Sequence, residues 1–125
     1  MTPADAAAFD PDRFRREAAD VADWIARYWE QLDSRRVSPE VEPGWVRSQL
    51  PRHAPEAAEP LADVLADVER TIVPALTHWQ HPSFFAYFPA STCGPSILGE
   101  LLAAGLGVQG MLWATSPACT ELETH

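Results

Sequence analysis

The chain has 125 residues, 46% hydrophobic and 22% charged, with a formal net charge of -9 and a pI near 4.7. That length can bury a core and points to one domain by default. The acidity excludes a nucleic-acid partner, whose phosphates need a basic face, and argues against an anionic membrane surface.

Asp10-Pro11 reads as an N-cap followed by proline at the first helical position. Apolar residues then recur at Phe14, Ala18, Val21, Ile25, Tyr28 and Leu32, the stripe of an amphipathic helix. Residues 35–44, with Pro39 and Pro43, form an extended connector. A short helical turn is expected over 45–50, stopped by Pro51. Leu61, Val64, Leu65, Val68 and Ile72 mark a second strong helix, which Pro74 ends. Residues 77–92 are an aromatic loop bounded by Pro82 and Pro89. Residues 95–104 are apolar almost all round, the pattern of an internal helix. Ser116-Pro117 repeats the cap-and-proline start and opens a last helix.

Charge is distributed unevenly. Across residues 71–120 the only formally charged side chain is Glu100, while the chain before Thr71 is densely charged. Five large aromatics fall between Trp79 and Phe88. Such a half cannot all face water, so we expect further protein, downstream chain or a partner subunit, to cover it.

Several residue types invite chemistry and are better read as structure. His78 and His81 are three apart, but no carboxylate or thiol lies near them and Pro82 breaks a helical face, so no zinc site is expected. Cys119 near a helix start lacks a base in sequence and reads as a small buried filler. Ser116 is a cap, since no nucleophile-elbow pattern surrounds it. The start Met1-Thr2-Pro3-Ala4-Asp5 lacks the pattern of a secretory signal. The least polar run, 101–114, is shorter than the roughly 20 residues a spanning helix needs. Cys93 and Cys119 make no CxxC pair. We therefore expect a cytoplasmic protein.

Two stretches carry a family resemblance: Phe85-Ala86-Tyr87-Phe88-Pro89, within His78 to Pro89, and Ser116-Pro117-Ala118-Cys119-Thr120-Glu121-Leu122-Glu123. In this order, about thirty residues apart, they resemble the group II pyridoxal-phosphate decarboxylases of aromatic amino acids. Members hold pyridoxal 5'-phosphate as a Schiff base on a lysine amine. All nine basic residues here are arginine. The resemblance therefore implies the N-terminal piece of a decarboxylase, inactive alone, with its lysine, phosphate-binding and ring-nitrogen partners beyond His125.

The implied fold is mainly α in this stretch: an N-terminal helical dimerisation segment over 1–92, then the start of a fold-type I, aminotransferase-like α/β large domain over 93–125. The implied assembly is a homodimer with N-terminal segments packed on the neighbouring subunit. By the same resemblance, Trp79, Tyr87 and Phe88 line the substrate pocket, with Phe84 and Phe85 left to the core. Pro89 and Ala90 lie beside the bound amino acid, and many animal relatives have threonine at the position of Ala90. Gln109 and Met111 reach the active site across the dimer interface, where animal relatives often carry an apolar residue and phenylalanine. The implied reaction converts an aromatic L-amino acid to its arylalkylamine, with an aldehyde-forming branch in the same family. The alternative is a non-catalytic helical dimerisation module without the catalytic domain.

Overall fold

The computed structural model describes residues 9–88 and 91–125, which fall in two compact units, Met1–Pro89 and Ala90–His125. Among the described residues the elements are helices and loops, with no strand.

In the first unit, α1 (Pro11–Glu30) begins where the sequence predicts. The Asp10 carboxylate accepts from the backbone N–H groups of Asp12 and Arg13 at 2.9 and 3.1 Å. Those two bonds, donated to the ionised form, hold its carboxyl below the usual range. Pro11 loses nothing there, because a first-turn N–H has no helical partner. The outer face carries the pairs Arg13–Glu17, Arg15–Asp12 and Arg27–Asp23, all solvent-screened and of small individual worth. The inner stripe runs through Val21, Ile25 and Tyr28 to the buried Leu32, which lies in the 3₁₀ turn Leu32–Ser34 that ends α1.

Gly44, at φ 94°, turns the connector into α2 (Trp45–Gln49), a conformation that glycine adopts without a Cβ penalty. Leu50 is extended, as a residue before proline prefers, and α2 stops there.

The second strong helix is less regular than its spacing predicts. α3 (Leu61–Asp67) widens into a π-helical turn, Val68–Ile72, and tightens into a 3₁₀ turn, Val73–Ala75. Pro74 has no N–H to give to the ladder, and its ring crowds the carbonyl four residues back. The irregular turns are the local answer, and they bury Thr71 and Val73. Arg35 ties this segment to the connector through Glu69, at 3.0 Å.

In the second unit, α4 (Gly94–Leu106) starts at Cys93, whose N–H donates to Ser96 Oγ at 3.1 Å. It ends at Gly107, φ 58°, whose N–H donates to Ala103 O. The uniformly apolar pattern predicts an internal helix, yet Leu98, Leu101, Leu102 and Leu106 are exposed in this chain. α5 (Pro117–Thr124) is capped by Ser116, whose hydroxyl accepts from the Cys119 N–H at 3.4 Å. No helix among the described residues is long and apolar enough to cross a membrane.

Candidate functional site

The aromatic loop is pinned at its start. The His78 N–H donates to Val37 O at 2.9 Å, which ties the loop to the connector. Two linked turns follow, His81 N–H to His78 O and Phe84 N–H to His81 O, at 3.0 and 2.9 Å. Ser83 N–H donates to His81 Nδ1 at 2.9 Å, so the ring proton sits on Nε2 and points to Asp33 O, 3.3 Å away. Both histidines thus spend ring nitrogens on protein partners.

Trp79 is the hub of the ring cluster. Its ring lies 5.0 Å from Phe84 at 31° and 5.6 Å from Tyr87 at 19°. Each such pair adds on the order of 1 kcal/mol beyond burial. Tyr87 reaches this place with a left-handed backbone, φ 56°, the one non-glycine positive φ among the described residues. Such values are uncommon for a bulky residue and gather at functional sites. Phe84, assigned to the core with Phe85, instead joins the cluster and is half-buried. Phe85 is 92% exposed, so the core assignment fails for it within this chain. The reason is spacing: Phe84 and Tyr87, three apart, turn to Trp79, and the residues after each are left out. Tyr87 is 80% and Phe88 100% exposed, an apolar surface.

Behind the hub lies a polar cluster that sequence spacing does not reveal. The Tyr28 hydroxyl is 2.7 Å from Nδ1 of the buried His78, and their rings are 5.7 Å apart. Tyr28 also stacks on Trp24 at 5.9 Å and lies under the Arg35 guanidinium, 5.2 Å away. Burial pushes the His78 imidazole below its ordinary value, helped by the positive Arg35 and by His81. Burial likewise raises the Tyr28 phenol, against the pull of Arg35. Both groups are therefore neutral at neutral pH, and the hydroxyl donates to Nδ1. Trp24, Arg27, Tyr28, Gln31, Arg35 and Glu69 border an open hollow of about 330 Å³.

The remaining predicted site residues are placed as follows. Pro89 and Ala90 lie outside the described residues. Gln109 and Met111 belong to the second unit, between α4 and α5, and both are exposed. Between them Gly110 packs closely on Cys119: an added Cβ would stand 3.1 Å from the Cys119 Cβ. Cys119 is a half-buried free thiol, which suits a packing role.

A helical chain with this exposed ring cluster can be set against known proteins. The family model described as the pyridoxal-dependent decarboxylase conserved domain matches residues 43–125. The chain belongs to this family. The aromatic-L-amino-acid decarboxylase of Cavia porcellus is 48% identical over 111 residues, covering 89% of this chain and 23% of that protein. The histidine decarboxylase of Homo sapiens is 44% identical over 116 residues, covering 93% of this chain and 18% of that protein. The crystal structure of Rhodiola rosea 4-hydroxyphenylacetaldehyde synthase superposes with a TM-score of 0.88 at 48% identity, over 92% of this chain and 25% of that one. The chain thus spans about a fifth to a quarter of the length of these relatives, and its fold is that of an N-terminal helical segment of such enzymes.

The family is pyridoxal-dependent, and the cationic side chains of this decarboxylase segment do not fit the cofactor's covalent anchor. All nine are arginine, whose guanidinium stays protonated and cannot form an imine. What these residues can offer is an aromatic surface.

Proposed function

We propose that these residues form the substrate-side wall of a pyridoxal-phosphate-dependent carboxy-lyase that converts an aromatic L-amino acid to its arylalkylamine. The observation that carries this reading is the exposed Trp79–Tyr87 stack inside a segment of the decarboxylase family. Flat, uncovered rings suit indole, phenol or catechol by offset or edge-to-face packing. The cofactor, held by residues outside this chain, supplies the electron sink for the breaking carboxylate bond. The share of Trp79, Tyr87 and Phe88 is to grip the substrate ring and fix its orientation. Pro89 and Ala90 flank the bound amino acid. Gln109 and Met111 reach the site from the neighbouring subunit of a homodimer.

In this reading residues 1–92 are the dimerisation segment and 93–125 begin the large cofactor-binding domain, in a cytoplasmic enzyme. The exposed leucines of α4 support it, because an apolar helix face of that extent calls for cover by further protein. The amine product is preferred for the aromatic decarboxylase relative, and the aldehyde synthase marks the competing branch.

The test incubates the complete protein with pyridoxal phosphate and tryptophan, tyrosine, dopa, phenylalanine, histidine or glutamate, measuring carbon dioxide, amine and aldehyde. Carbon dioxide and amine from the benzene- or indole-ring amino acids are expected. Turnover confined to glutamate or to histidine would overturn the substrate reading.

A further inference from the structure

We propose that His78, held by Tyr28, is a positioning residue that sets the place of the aromatic wall; the proposal rests on the function given above. His78 directly precedes Trp79, so consecutive Cα atoms leave about 3.8 Å and no slack between the fixed residue and the hub of the cluster. The residue is fixed from three sides. Its N–H donates to Val37 O, its carbonyl accepts from the His81 N–H, and its Nδ1 accepts from the Tyr28 hydroxyl. On the far side of the wall Phe85 and Phe88 are almost wholly exposed. A further side-chain link from the loop to the α1 end, His81 Nε2 to Asp33 O, is long at 3.3 Å and exposed. A part-buried bond of 2.7 Å is the stronger constraint.

Tyr28 is itself held, which is what lets it act as a fixed point. Glu69 pairs with Arg35, Arg35 lies over the Tyr28 ring, and Trp24 stacks on it. A relay therefore runs from the irregular turn of the second strong helix, through α1, to Trp79 and Tyr87. His78 touches no substrate in this account; it acts through Trp79.

Three variants of the complete protein test this. Tyr28→Phe removes only the hydroxyl, His78→Leu removes the acceptor, and His78→Asn keeps an acceptor oxygen near the position of Nδ1. The first two are expected to lower kcat/KM for tryptophan by roughly 5- to 30-fold, as a lost part-buried hydrogen bond and a displaced wall imply. The ratio of kcat/KM for tryptophan to that for phenylalanine should shift about threefold or more, because a displaced wall treats large and small rings differently. His78→Asn should come back to within about twofold of wild type, and cofactor content should stay unchanged in all three. An unchanged substrate ratio, or Asn as defective as Leu, would show His78 to be only a satisfied core group. Hydrogen exchange over residues 79–88 reads the same constraint without turnover. Faster exchange in Tyr28→Phe supports the clamp, and unchanged exchange overturns it. A wild-type protein that binds cofactor yet decarboxylates no aromatic amino acid would refute the function while the exchange result still decides the clamp.

Discussion

Tyr87 stacks on Trp79 at 5.6 Å from a left-handed backbone, φ 56°. A left-handed tyrosine costs about 1–2 kcal/mol that glycine would not. The ring contact and the strain are separable. In the complete protein, Tyr87→Gly and Tyr87→Ala both delete the ring, but only glycine also relieves the backbone. Chemical denaturation should show Tyr87→Gly more stable than Tyr87→Ala by about 1 kcal/mol. The reverse order, which ordinary backbone entropy predicts, would mean that the left-handed conformation is not kept.

The Tyr28–His78 pair gives the first unit a pH-dependent contribution to stability. The His78 pKa is lowered from 6.5, chiefly by burial, so below 6.5 the unfolded chain takes up a proton that the folded chain refuses. Its contribution is full above 6.5 and is lost as pH falls through the window between 6.5 and the lowered folded value. The Tyr28 pKa is raised from 10.0, again chiefly by burial, so above 10.0 the unfolded chain releases its proton first and stability declines. Thermal unfolding across pH should show a plateau between these limits. His78→Asn should flatten the acid limb and Tyr28→Phe the alkaline one. An acid limb unchanged in His78→Asn would contradict the assignment.

Gly110 leaves little room for a side chain against α5. Its Cβ would meet the Cys119 Cβ at 3.1 Å, a contact that no trimming of the thiol relieves. Gly110→Ala should cost roughly 1–3 kcal/mol, as overpacking does. Cys119→Ala should not rescue it, whereas Cys119→Gly should recover part of the loss in a double-mutant cycle. Additive effects throughout would show that the two segments do not press on one another.

Local signals carried the helices well. Asp10-Pro11 and Ser116-Pro117 start α1 and α5 where a side-chain oxygen and a proline suit the first turn, and both caps are formed. The stripe ending at Leu32 was legible because burial repeats with the helical period. The π-helical turn before Pro74 was less so, since proline announces an interruption without saying which irregular turn absorbs it. The Trp79–Tyr87 contact follows from no periodicity, and composition alone reads an aromatic run as core; the wall role proposed for it comes from the family resemblance. The Tyr28–His78 bond was not legible at all. Its partners are fifty residues apart, and no periodicity relates a helix stripe to a loop histidine.

Kinetics of Tyr87→Ala and Phe88→Ala in the complete protein, with bound cofactor measured on the same samples, test the wall most directly. Each should lose roughly 10- to 100-fold in kcat/KM for an aromatic amino acid, as loss of ring packing and orientation implies. Cofactor content and the folded state should stay close to wild type. Release of the cofactor, or unfolding, on either substitution would place these rings in the structural core and contradict the account.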